Sequence, residues 1–359
     1  MSTRVLFILD RDRRREEESA IVRLAIGLAA DGVRTAVVLP PTEEDQVSEL
    51  ASEGPVPIML GPVDAPFWIR AKAARAMLEV FADLGFEEFD TVVGCGRHAR
   101  AMTEEIGDQL GIPVVYEVRS PQEASGLHID DRHVVVSPNP QLQADLERRF
   151  GEGRVAMIPI PVPRTRPRVA PKSGLVLMLG PVLRPNIWKA VIQGISGPDG
   201  PVVGLKHLAV ELGAGRRDQQ VWKWLRSSPL SDLMSSFDHL DRIRNLLTDA
   251  NVVVCPESRT AVRSIETQAV LQGATLVAAE SSWRGDRGSD LGARLVSPEL
   301  AARPDAWREA IEASLGEIPP TAGKDAAAHS LVSVVAPRWH QLLDTVVHGD
   351  ATPIESAHL

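Results

Sequence analysis

Residues 5–40 read VLFILDRDRRREEESAIVRLAIGLAADGVRTAVVLP, and the fold class follows from this stretch. Val5–Leu9 is a short apolar run with no polar alternation, the pattern of a strand buried on both faces. Ser19–Ala30 carries Ile21, Leu24, Ala25 and Leu28 at helical spacing, with Gly32 just beyond its end. Thr35–Leu39 is apolar again and is stopped by Pro40-Pro41. A strand, a helix and a second buried strand in this order specify a right-handed crossover between parallel strands. Between them, Arg11, Arg13, Arg14 and Arg15 stand beside Glu16, Glu17 and Glu18. The spacing reads as a solvated loop leading into the helix, with the acids near the positive helix N-terminus. The same arginines also offer cations for a phosphate.

The alternation continues outward. Trp68–Leu84 is predicted as a helix, with Ala73, Met77, Val80, Phe81 and Leu84 spaced for a core face. Asp90–Val93, Pro113–Val118 and His133–Ser137 are further short apolar strands, so the first domain is an α/β unit of Rossmann-like type. The texture changes at Pro161-Val162-Pro163-Arg164-Thr165-Arg166-Pro167-Arg168, which can continue neither a helix nor a central strand. This segment is read as a linker, with the boundary at Pro161–Pro171. A second strand–helix series follows: Leu175–Leu179, a helix near Trp188–Ile195, strands at Val252–Cys255, Leu276–Ala279 and Arg294–Val296, and a helix at Ala306–Leu315. A last helix is predicted over Leu331–Val347, with Trp339, Leu342, Leu343 and Val346 on one face. The expected division is 1–165, 172–330 and a terminal segment 331–359 that packs back on the first domain.

Composition bounds the function. The chain has 359 residues, 44% apolar and 24% charged, as in soluble globular proteins of about two domains. No run of apolar residues is long enough to span a membrane or act as a secretory leader, so a cytoplasmic protein is expected. The net charge of −9 argues against a general nucleic-acid role. Cys95 and Cys255 each follow an apolar strand, which favours buried thiols over a disulfide, and no Cys or His pair has zinc-ligand spacing. No G-x-G-x-x-G follows a strand, which excludes the usual dinucleotide fingerprint.

Several segments, in order, resemble one family. Ile21–Gly32 (IVRLAIGLAADG), Gly111–Arg119 (GIPVVYEVR), Val134–Phe150 with Arg154–Val162, Ala250–Gly273 and Leu295–Leu315 are similar to successive blocks of the retaining family 4 glycosyltransferases. That resemblance implies a GT-B fold: two Rossmann-like domains facing across a cleft, with the C-terminal helix crossing back. It also implies a nucleotide-sugar donor on the second domain, an acceptor of unknown kind on the first, and no cofactor or metal.

The resemblance can be carried over position by position. The family's glycine loop after the first strand falls on Arg15-Glu16, so its glycines are absent. The family's diphosphate-binding Gly-Arg…Lys pattern falls on Gly180, Pro181 and Asn186 or Ile187; the glycine is kept, and Arg184, Lys189 or Arg263 is left to substitute for the missing cations. Anchoring on Pro256 and Gln272-Gly273 puts Thr260 and Gln268 where the family has its paired glutamates. Glu257 and Glu266 lie nearby with eight residues between them. Glu266 is expected in the first turn of a Ser264–Gln272 helix, where the macrodipole stabilises an acid. Gln268 can still accept from or donate to ribose hydroxyls. In the first domain, Arg119 follows a strand at the sheet's carboxyl end, where open α/β sheets place ligands, and His98 follows another. The candidate catalytic residues are therefore Arg119 and Glu266. The candidate donor-binding residues are Gly180, Arg184, Asn186, Thr260, Arg263 and Gln268. Two functions fit this pattern: sugar transfer, or a non-catalytic GT-B subunit that partners an active glycosyltransferase.

Overall fold

The computed structural model describes residues 2–41, 55–163, 173–238, 244–257, 263–280, 290–316 and 321–349. The chain forms two compact units, Met1–Pro163 with Ser330–Leu359, and Arg164–His329. Each is built on a parallel sheet.

In the first unit β1 (Arg4–Leu9), α1 (Arg11–Ala30), β2 (Arg34–Leu39), β3 (Ile58–Leu60), α2 (Phe67–Asp83) and β4 (Thr91–Cys95) come first. They are followed by α3 (Arg100–Leu110), β5 (Val114–Glu117), α4 (Pro121–Ala124), β6 (Val134–Ser137), α5 (Pro140–Phe150) and β7 (Val155–Met157). The strand order is β3-β2-β1-β4-β5-β6-β7, parallel throughout. Val5–Leu9 pairs with β2 on one side and β4 on the other and is fully buried. That position explains its unbroken apolar run: both pleat faces are covered by helices, so no residue of it meets water.

The second unit comprises β8 (Leu175–Met178), α6 (Pro185–Ser196), β9 (His207–Glu211), α7 (Arg216–Arg226), β10 (Met234–Phe237) and β11 (Ala250–Cys255). It continues with α8 (Ser264–Leu271), β12 (Thr275–Ala279), β13 (Arg294–Val296), α9 (Pro304–Gly316) and α10 (Thr321–Ala328). Its order is β10-β9-β8-β11-β12-β13, again parallel. Strand order reverses between β1 and β4 in one sheet and between β8 and β11 in the other. Crevices at such switch points are where open α/β sheets take ligands.

The chain then returns to the first unit as α11 (Val332–His348). Val162 and Leu331 form a parallel bridge, and α11 buries Val335, Ala336, Trp339, Leu342 and Leu343 in the first unit's core. Trp339 meets Phe7 edge-on, with ring centroids 6.0 Å apart. Gly27 permits the approach of α1, because a Cβ there would lie 2.8 Å from Val332 Cγ1.

Two expectations are corrected. The first helix begins at Arg11, not at Ser19, and the charged run is its first turns instead of a solvated loop. Asp10 has extended backbone and accepts from the Arg13 amide at 2.8 Å, which caps the helix at that point. Arg13, Arg14, Glu17 and Glu18 are buried there. In α2 the core face is Ala74, Met77 and Phe81, whereas Val80 and Leu84 are exposed. Phe86 and Phe89, from the loop after the helix, pack on Phe81 and join that core face instead. The linker residues 164–172 lie outside the described residues.

Asp10→Ala removes the cap of α1 together with a bond to the His98 amide. It should lower stability by about 1–2 kcal/mol in urea titration. An unchanged midpoint would mean that the helix does not start at Asp10.

Candidate functional site

The carboxyl end of the first sheet is closed by charge pairing. Asp10 leaves β1, caps α1, and also accepts from His98 N at 3.0 Å beyond β4. Burial raises the Asp10 carboxyl above its ordinary range, with Arg13 acting in the opposite direction. Gly96 makes this approach possible: it has φ +96°, and a Cβ would stand 2.3 Å from an Asp10 oxygen. His98 is exposed and supplies its backbone N–H to this junction.

Behind Asp10 lies a buried ion network. Arg13 reaches both oxygens of Glu123, at 3.1 and 3.0 Å, and Glu117 at 3.2 Å. Arg119 donates to Glu117 at 2.8 Å from Nε, lies 2.9 Å from Glu17 through its Nη1, and donates its backbone N–H to Glu123 at 2.8 Å. Burial works against the Arg13 charge, yet Glu123, Glu117 and Asp10 hold its guanidinium well above the usual value. Cys95 is buried beside this network; burial, with Glu117, pushes its thiol well up, so it is an inert thiol. Arg119 is thus placed after β5 as the sequence implies, but its guanidinium is engaged by two carboxylates.

The second sheet's switch point carries two further carboxylates. Gly180, just after β8, donates its N–H to Glu211 Oε2 at 2.7 Å. Arg263, the residue before α8, meets the same carboxylate through both terminal nitrogens, at 3.3 and 3.0 Å. Glu257 follows β11 and is 1% exposed. Its Oε1 accepts from the amides of Leu183 and Arg184, each at 2.8 Å, and from Trp188 Nε1 at 3.1 Å. Arg184 Nε lies 3.3 Å from Glu257 Oε2, and its side chain remains one-third exposed. The Glu257 carboxylate therefore fills an anion position made by the amides at the start of α6 and one arginine.

Deeper in this unit, Arg244 donates to Gln268 Oε1 at 2.6 Å and to Ser264 Oγ at 2.9 Å. Glu266 stands in the first turn of α8, as expected, and is buried. Asn186 is exposed in the first turn of α6. Lys189 lies exposed one turn along, its Nζ 5.8 Å from the Trp224 ring. Thr260 lies outside the described residues. The structure thus gathers Gly180 with Arg263, and Arg184 with the start of α6, around the exits of β8, β9 and β11; Gln268 is tied to Arg244. Among the described residues no cluster of His, Cys, Asp or Glu is arranged to hold a metal.

Sequence reasoning missed Glu211 and Arg244. Glu211 ends the run His207-Leu208-Ala209-Val210, and an acid closing an apolar strand at the ligand-binding edge is a readable signal. Arg244 opens a short 3-10 turn, Arg244–Thr248, which carries no periodic signal. Arg263→Met leaves Glu211 buried without its bidentate partner. The loss should be about 3–5 kcal/mol in denaturant titration, partly recovered by adding Glu211→Gln. A loss below about 1 kcal/mol would place the pair among weak, solvated ones.

No protein-family model matches this sequence, and a search of curated proteins finds no match. Solved structures do match over nearly the whole chain. A glycosyltransferase from Rickettsia africae aligns over 96% of this chain and 99% of its own, at TM-score 0.67 and 10% identity. The sucrose-phosphate synthase of Thermosynechococcus elongatus aligns over 97% and 100%, at TM-score 0.69 and 13% identity. Anabaena HepE, solved with UDP and glucose, aligns over 95% and 99%, at TM-score 0.68 and 12% identity. At such identities the likeness is one of fold: the chain has the GT-B fold of these glycosyltransferases.

Proposed function

We propose that this protein is a glycosyltransferase-type chain that takes a nucleotide-sugar donor at the carboxyl end of its second sheet. One observation carries the reading: two backbone amides at the start of α6 and the Arg184 guanidinium converge on a single anion, now the Glu257 carboxylate. Such a position suits a diphosphate, whose charge grows as it leaves the sugar. Gly180 gives close backbone access beside it, and Asn186 is exposed in the first turn of α6. By the register of the resemblance, Gln268 stands where the family's ribose-binding glutamate does and Thr260 where the glutamate near the reacting carbon does, with Glu266 the acid nearby in sequence. The diphosphate charge would be offset by amides and arginines, with no cofactor needed. The acceptor is open.

This arrangement implies a weak donor site. Arg184 and Arg263 are both held by carboxylates, and Glu257 repels a phosphate at the position it fills. The pairing also supports the second reading, a non-catalytic subunit that joins an active glycosyltransferase. Isothermal titration with UDP- and GDP-sugars, followed by turnover assays, separates the two. The transfer reading expects weak binding, slow turnover, and a further loss of about 10²-fold or more in Arg184→Ala. Binding without turnover would leave only the subunit reading, and no binding of any nucleotide sugar would remove the donor site itself.

A further inference from the structure

We infer that the first two turns of α2 dock this protein onto an anionic lipid surface. Phe67 and Trp68 are each 81% exposed, and Ile69 is 45% exposed. With Val80 and Leu84, they make the α2 region the main concentration of exposed large apolar side chains among the described residues. The core face of the helix is Ala74, Met77 and Phe81, so the exposed rings take no part in holding it.

The charges beside these rings point to the occupant. From Pro66 to Leu78 the chain carries Arg70, Lys72 and Arg75 and no acid. Lys72 and Arg75 follow Trp68 at i+4 and i+7, on one exposed face of the helix. Among the described residues neither makes an ion pair, while the flanking acid Asp64 is paired to Arg11 at 3.0 Å. Arg70 lies 5.9 Å from the Phe67 ring centre. The chain as a whole is acidic, at −9, so this cationic face is a local feature against the overall charge.

A protein partner would have to offer pockets for two large rings, each 81% exposed, at the start of the helix. A bilayer interface requires none: rings enter the headgroup boundary while Lys and Arg stems lie along it with their charges at the phosphates. The inference is independent of the donor-site reading, because α2 belongs to the other unit.

The test is flotation of the full chain with vesicles of phosphatidylcholine alone or with about 30% phosphatidylglycerol, at about 0.1 M salt. Wild type should float with the anionic vesicles and at least about tenfold less with the neutral ones. Phe67→Ser/Trp68→Ser and Lys72→Glu/Arg75→Glu should each reduce anionic binding by about tenfold or more. Both pairs are on the surface, so circular dichroism should confirm unchanged folding. Failure of wild type to float, or equal flotation of both double variants, overturns the inference. Self-association of wild type that Phe67→Ser/Trp68→Ser abolishes, without flotation, overturns it in favour of a second copy.

Discussion

In each half of this chain one carboxylate ties together the exits of the two central strands. Asp10 leaves β1 and accepts from the His98 amide beyond β4. Glu257 leaves β11 and accepts from the Leu183 and Arg184 amides beyond β8. Both bonds cross the switch point of a parallel sheet, the crevice that such sheets leave open for ligands. Amide groups at these exits are donors without intrahelical partners, and burial makes an unsatisfied donor costly. A side-chain carboxylate satisfies them, and the neighbouring charges then arrange themselves around it.

The consequence differs between the halves. In the first unit Asp10 leads directly into a capped helix, so no flexible glycine loop separates β1 from α1. Arg13, Glu17, Glu117, Arg119 and Glu123 then close on one another, because a buried ion is tolerable only when paired. In the second unit one arginine of the pairing is partly exposed. Arg263 is bidentate to Glu211, and Arg184, one-third exposed, approaches Glu257 through its Nε.

The parts of the fold that were legible in the sequence are those fixed by local physics. Strands buried on both faces, such as Val5–Leu9 and Val252–Cys255, announce themselves as unbroken apolar runs. The face of α11 with Trp339, Leu342 and Leu343, and Glu266 in the first turn of α8, follow from helical spacing and the macrodipole. The rest depends on distant partners. Arg13, Glu17 and Arg119 look like surface charges until the topology sets β5 and α4 beside α1. Val80 and Leu84 match a core face by period, yet Phe86 and Phe89 reach the core first. β3, β9 and β10 are short or lie toward a sheet edge, where pairing decides more than pattern. At the candidate site, Gly180, Arg184 and Arg263 could be named from the resemblance, whereas Glu211 and Glu257 as their partners could not, because each contact joins separate loops.

Glu257 sits where two backbone amides and the Arg184 guanidinium converge on one anion. The direct measurement is the affinity of UDP for wild type and for Glu257→Gln, by isothermal titration calorimetry. The glutamine keeps an oxygen for the Leu183 and Arg184 amides and removes the negative charge. Glu257→Gln should bind UDP about tenfold tighter or more, since like charges at this range in a partly buried site cost more than a kilocalorie. Equal or weaker binding by Glu257→Gln would contradict the account.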